Sequence, residues 1–161
     1  MPQLRSVHNN NILFEKLKVN YPIPFDLLLL ADPSIELVTE YLKQSELFVA
    51  TCYGEILGVI VLFPLTADTI EVKNIAVKPE FHRQGIGSFL IDEATKYASY
   101  NQIKSICIGT ANSSIAQLYL YQRLGFEISD IKKNFFETNY KEPIYENGIQ
   151  AKHMLTLIKQ L

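Results

Sequence analysis

Two hydrophobic periods alternate along the chain, and the switches between them lay out its elements. Runs of β-branched and aromatic residues occupy 46–52 and 56–63, separated by Tyr53-Gly54-Glu55. That pattern predicts an antiparallel hairpin. Pro64 ends its second strand, a third strand spans 69–77 after a turn at 66–68, and Pro79 closes it. The period then lengthens. Ile86, Phe89, Leu90, Ala94, Tyr97 and Ala98 fall on one helical face, which predicts a helix from Gly85 to about Ser99. Residues 105–109 return to a β-branched strand. A further helix follows, with Asn112 placed as its N-cap and Gly125 at its left-handed C-terminus. It carries Ile115, Leu118, Tyr119, Leu120, Tyr121 and Leu124, apolar on most sides, which predicts a buried helix. Residues 126–131 read as a strand, 132–148 as a long polar and aromatic connection, and 149–158 as a final strand.

The opening of the chain carries weaker signals. Residues 4–8 read as a short strand and 12–19 as a short helix. Pro22 and Pro24 break the chain before a helical stretch over 25–31. Asp32-Pro33-Ser34 then starts another helix that reaches about Lys43, with Ile35, Val38, Tyr41 and Leu42 on one side. Strand-helix-strand in the middle calls for a parallel pair, and the hairpin calls for antiparallel pairing beside it. The sheet is therefore expected to be mixed, in an α/β fold with α+β character.

Composition narrows this picture. The 161 residues hold no repeat or linker, so 1–161 is expected to be a single domain. A 48% hydrophobic content supports a packed core, and a net charge of -2 gives no electrostatic signature of nucleic-acid binding. Met1-Pro2-Gln3-Leu4-Arg5 has no apolar run behind it. The longest apolar stretch, 56–65, falls short of the about 20 residues that a membrane span needs. Cys52 and Cys107 sit in strand-like runs and read as buried, reduced thiols. A cytoplasmic protein with no membrane and no nucleic-acid partner is expected.

The stretch richest in chemistry is Ile75-Ala76-Val77-Lys78-Pro79-Glu80-Phe81-His82-Arg83-Gln84-Gly85-Ile86-Gly87-Ser88. A strand ends, a turn follows, and a helix opens with two glycines. The first helical N–H groups have no partner inside the helix, and the helix dipole adds positive potential. Glycines let an anion approach that backbone, and Arg83 adds a fixed positive charge. A dinucleotide fingerprint would need glycine where Leu90 stands, and no Gly-Lys-Ser or Gly-Lys-Thr of a P-loop occurs. Taken alone, the two glycines also fit tight packing of helix on strand. His8, His82 and His153 lack zinc-type spacing, and no Gly-x-Ser-x-Gly elbow is present. No metal is expected.

At these residues the sequence resembles the GNAT superfamily of acyl-CoA-dependent N-acetyltransferases. His82-Arg83-Gln84-Gly85-Ile86-Gly87 is similar to the family signature, with His82 standing where Arg or Gln is usual. Asn112-Ser113-Ser114 and, after the helix, Tyr121-Gln122-Arg123-Leu124-Gly125-Phe126 look like a second family motif. The resemblance covers about 69–131, and the segment 142–150 is similar to a bacterial subgroup of unassigned substrate. It implies a mixed central sheet of six to seven strands flanked by about four helices. It implies acetyl-CoA as co-substrate, its pyrophosphate on the amides of Arg83, Gln84, Gly85, Ile86, Gly87 and Ser88, with His82 and Asn112 close by. The pantetheine arm would lie along Ile75, Ala76 and Val77, in a gap where two parallel strands splay. An amide near Ala76 or Val77 would hold the developing oxyanion. Glu71 is the implied base, or a solvent-facing partner of Lys73. Tyr121 is the implied acid toward the departing sulfur, and Tyr119 lies about 200° away on the helix.

The acceptor implied is a small-molecule or peptide amine. Residues 132–148 carry Phe135, Phe136, Tyr140, Tyr145, Glu137, Glu142 and Glu146, groups suited to a cationic amine, diluted by Lys132, Lys133 and Lys141. An acyl-CoA-binding regulatory module without catalysis fits the same cradle. Pairing as a homodimer through an edge strand near the end of the chain is a further expectation.

Overall fold

Ile12–Lys16 forms a strand, β1, where the sequence pattern pointed to a helix over 12–19. The computed structural model describes residues 11–161, so the strand expected over 4–8 lies outside the described residues. Pairing with a neighbouring strand overrides the weak helical pattern: Phe14 lies flat on Phe48, ring centroids 4.8 Å apart and planes within 7°. The next elements match expectation closely. Helix α1 spans Phe25–Ala31 and helix α2 spans Ile35–Leu42. Ser34 caps α2, its hydroxyl accepting from the Leu37 amide at 3.3 Å. Only Val38 of the expected α2 face is fully buried, and Ile35 is exposed.

Strands β2 (Glu46–Cys52) and β3 (Glu55–Pro64) form the hairpin, turning through Tyr53 and Gly54 at φ of 49° and 82°. Strand β4 is Thr69–Val77, and a 3-10 turn at Pro79–Phe81 leads to α3 (Ile86–Tyr100). Strand β5 (Ser105–Ala111), helix α4 (Ile115–Arg123) and strand β6 (Glu127–Lys132) follow. Helix α4 is a correction. Tyr121 is its one buried residue, while Ile115 and Tyr119 face solvent, because α4 covers the edge of the sheet and not its middle. The connection after β6 holds a short helix, α5 (Phe135–Asn139), and a two-stranded ribbon, β7 (Tyr145–Glu146) with β8 (Ile149–Gln150). The last strand, β9, is Met154–Gln160, not 149–158. The chain breaks at 151–153 because Asn112 binds it there: the Asn112 Oδ1 accepts from the Lys152 and His153 amides at 2.8 and 3.0 Å.

Among the described residues the main sheet runs β1-β2-β3-β4-β5-β9-β6, with β4–β5 its only parallel pair. It is the mixed α/β architecture expected, with five helices among those residues. A large core under α3 gathers Ile60, Leu62, Ile70, Val72, Leu90 and Ile106. A smaller core on the opposite face joins Val59, Val61 and Ala76 to Leu27, Leu28 and Val38 of the first helices.

Two irregularities of β4 position everything that follows. Its pairing with β5 ends at Val72 opposite Ile108, although β5 continues along β9 as far as Ala111. The two parallel strands therefore part beyond that point. On the other edge, Val61 faces Asn74 and Leu62 faces Val72, so Lys73 is an extra residue, a β-bulge. The bulge exchanges the faces. Ile70 and Val72 point into the large core, but Asn74 and Ala76 turn to the α1 side and Ile75 and Val77 pack on the large core.

Candidate active site

The turn before α3 is built to expose its amides. Arg83 and Gly85 both take left-handed backbone, φ 60° and 81°. Successive turns of this kind aim neighbouring N–H groups into one concavity. The amides of Arg83, Gly85, Ile86, Gly87 and Ser88 donate to no carbonyl among the described residues. A Cβ built on Gly85 would meet nothing within 4 Å, and one on Gly87 only Leu120 at 3.9 Å, so the space in front of them is open. Unpartnered amides, a helix N-terminus and the exposed Arg83 guanidinium together fit a diphosphate. The His82 ring is engaged elsewhere: its Nε2 lies 2.8 Å from the Val77 carbonyl, tying the turn to the end of β4.

The freed edge of β4 supplies a second set of donors. The Lys78 amide donates to Leu57 of β3 at 2.8 Å. Antiparallel alternation then directs the Ala76 amide to β3 as well, and leaves the Ile75 and Val77 amides facing the gap. Gly58 of β3 makes the packing here possible, because a Cβ on it would sit 2.9 Å from the Ala76 carbonyl oxygen and 3.1 Å from Leu90.

Tyr121 comes from α4 and sits in the large core, against which Ile75 and Val77 also pack. It is 4% exposed, against 66% for Tyr119, and tilts against Phe126 with centroids 6.2 Å apart. Gly125, at φ 91°, ends the helix so that Phe126 can fold back. Burial first, and then the charge of Glu146, hold the Tyr121 hydroxyl above the usual phenol range, so it keeps its proton at neutral pH. Glu146 comes from the β7–β8 ribbon, where both carboxylate oxygens accept from the Ser114 hydroxyl at 3.1 Å. Ser114, not Asn112, occupies the N-cap position of α4, and its side chain makes no capping bond. All side-chain atoms of Asn112 that form hydrogen bonds serve the 150–153 segment, its Nδ2 donating to the Gln150 carbonyl at 3.1 Å.

Glu71 lies on the α1 face of β4, beside Cys107 in the parallel register and 3.4 Å from the Lys73 ammonium. Burial, reinforced by Glu71, pushes the Cys107 thiol up to about 11, so it stays an unreactive thiol. Cys52, the other free cysteine, is half-buried. Among the described residues no group of three or more His, Cys, Asp and Glu side chains is placed to hold a metal ion.

The model of the acetyltransferase (GNAT) domain family matches residues 43–128, the stretch that contains the cradle, the splayed strands and Tyr121. The chain belongs to the GNAT acetyltransferase family. A curated GNAT relative, the uncharacterized N-acetyltransferase YvbK of Bacillus subtilis (strain 168), is 45% identical over 85% of this chain and 88% of its own length. Among solved structures, a GNAT family acetyltransferase from Elizabethkingia anophelis with acetyl-CoA bound is 49% identical with a TM-score of 0.93, covering 94% of this chain and 99% of that one. A Bacillus subtilis acetyltransferase in complex with CoA is 42% identical with a TM-score of 0.88, covering 93% and 99%. The chain is thus an N-acetyltransferase of GNAT type. Among the described residues no helix is long and apolar enough to cross a membrane.

On the α1 face of β4 the structure joins Asn74, Tyr41 and Asp32, to which the sequence reading assigned no chemical role, with Tyr140, which it placed among groups suited to a cationic amine. The Asn74 Nδ2 donates to the Leu28 carbonyl and to the Tyr41 hydroxyl, both at 2.9 Å. The Tyr140 hydroxyl donates to Asp32 at 3.0 Å. Burial raises Tyr41 to about 12, opposed by its Asn74 bond and reinforced by the neighbouring Asp32. The sequence signal for Asn74 was an amide side chain inside the strand-like run 69–77. Tyr140 also lines a cavity of about 210 Å³ with Phe136, Ile144 and Ala151, formed by the segment that the sequence singled out as acidic and aromatic.

Proposed function

We propose that the chain transfers the acetyl group of acetyl-CoA to an amine, with both substrates bound together and the amine attacking directly. The observation that carries this reading is the row of unpartnered amides at the α3 N-terminus, continuous with the freed edge of β4. Acetyl-CoA supplies an activated acetyl group as a thioester. The amides of Arg83 through Ser88 hold its diphosphate, and Ile75, Ala76 and Val77 line its pantetheine arm. The Val77 or Ile75 amide, both facing the gap, donates to the charge that develops on the carbonyl oxygen; one such donor contributes about 2.7–4 kcal/mol to the barrier. Glu71 takes the proton of the attacking amine, directly or through water. Tyr121, protonated by virtue of its burial, gives its proton to the departing sulfur. The products are an amide and a free thiol.

The acceptor is a small-molecule or peptide amine that enters from the α1 side of β4. The test is thiol release from acetyl-CoA with a panel of amines, followed by initial rates at varied concentrations of both substrates. Intersecting double-reciprocal lines are expected for direct attack; parallel lines would show an acetylated enzyme and overturn it.

A further inference from the structure

The cluster of Asp32, Tyr41, Asn74 and Tyr140 has spent its donors and kept its acceptors. Both N–H bonds of the Asn74 amide are used, one on Leu28 and one on Tyr41. Asp32 already accepts from the Ser34 amide at 3.1 Å and from the Tyr140 hydroxyl at 3.0 Å, and the Tyr41 hydroxyl hydrogen-bonds to it as well. What remains is electron-rich. The Asn74 Oδ1 is buried without any hydrogen-bond partner, in a residue only 4% exposed. The half-buried Asp32 carboxylate has no cationic partner among the described residues. A buried orphan acceptor is costly, and a partly buried carboxylate without a cation is costlier, so the first calls for an N–H or O–H donor and the second for one that carries positive charge.

The two groups are not equivalent. A carboxylate beside an amine stabilises its ammonium form and so opposes the loss of a proton that attack requires. A neutral amide oxygen accepts an N–H without that penalty. Asn74 stands next to Ile75 and three residues before Val77, which places it between about 3 and 10 Å along the strand from the two amides that face the gap. Asp32 is less buried than Asn74, stands just before α2 and accepts from Tyr140, which lines the cavity.

We propose that the Asn74 amide oxygen receives the N–H of the reacting amine and that Asp32 holds a second ammonium on the same molecule, so that the acceptor is a small di- or polycationic amine. The inference deepens the N-acetyltransferase reading and rests on it for the identity of the reacting group. Butylamine and 1,4-diaminobutane serve as matched probes, differing in the second ammonium alone. The wild-type protein is expected to show kcat/KM at least about tenfold higher for the diamine, the scale of one hydrogen-bonded charge. Asp32→Asn keeps an oxygen for Ser34 and Tyr140 and is expected to collapse that ratio toward one. Asn74→Ala is expected to lower kcat/KM for both amines together, with CoA affinity and melting temperature as the control on folding.

A wild-type ratio near one overturns the inference whether or not any variant folds. Calorimetric titration of both amines into the CoA-loaded protein separates it from the reading beneath it. Tight, Asp32-dependent diamine binding without turnover upholds the site and defeats the transferase reading. Turnover of both amines alike does the reverse, and no binding of either amine removes the site.

Discussion

Tyr121 is the residue where packing and chemistry meet. Its ring belongs to the large core, yet its hydroxyl makes no hydrogen bond among the described residues. Removing the oxygen therefore costs little structure. Tyr121→Phe is expected to lower kcat by about 10² or more while leaving CoA affinity and melting temperature nearly unchanged. Stopped assays of thiol release and thermal melts with CoA check both halves. Tyr121 was legible in the sequence because its spacing from Gly125-Phe126 separates it from Tyr119, and burial agrees with that choice. Asn74 was not. Unbroken alternation sets Asn74 on the core face of Ile70 and Val72 unless a bulge at the preceding residue is foreseen, and Lys73 carries no sequence mark of one. Asp32 and Tyr140, 108 positions apart, are joined only by the fold.

At the scale of elements, the opening of α3 is the part most open to a decisive substitution. Gly85→Glu places a carboxylate, on left-handed backbone, among amides that are proposed to hold a diphosphate. CoA binding is expected to be lost, read as the disappearance of the CoA-dependent rise in melting temperature. The β3–β4 contact makes a different prediction. Gly58→Ala must push on the Ala76 carbonyl or on Leu90, and a destabilisation of about 1–3 kcal/mol is expected in urea unfolding. The strongly periodic elements α3, β2, β3 and β4 were readable because local pattern and burial agree there. β1 was not, since five residues gain their strand form from pairing with β2. The end of the chain was misread as one strand because the side chain of Asn112, distant in sequence, takes up the hydrogen bonds that would have continued it.

Across the whole molecule, Glu46 ties three regions together. It pairs with Lys16 of β1 at 2.7 Å and accepts from the Tyr97 hydroxyl of α3. Burial acts to raise its pKa, but the bonds from Lys16 and Tyr97 outweigh it and leave the carboxyl below its ordinary value. A carboxyl lowered on folding contributes stability above its unfolded pKa and loses that contribution as pH falls through the folded one. Glu46→Gln is therefore expected to lower the urea midpoint at pH 7, with the gap to wild type closing between about pH 5 and pH 3. A gap independent of pH would show that packing, not charge, matters at this site.

The extra residue in β4 has a consequence for the whole design. Had β4 run in unbroken alternation through Lys73, with that residue taking a regular place in the ladder, inside and outside would be inverted for the stretch beyond it. The Asn74 amide would be thrust among the aliphatic side chains beneath α3, and Ile75 and Val77 would be turned toward α1. The proposed acceptor contacts thus depend on how one surplus peptide unit is accommodated: bulged out of the ladder it keeps Asn74 toward α1, whereas a relative that paired it regularly would present a different set of atoms there.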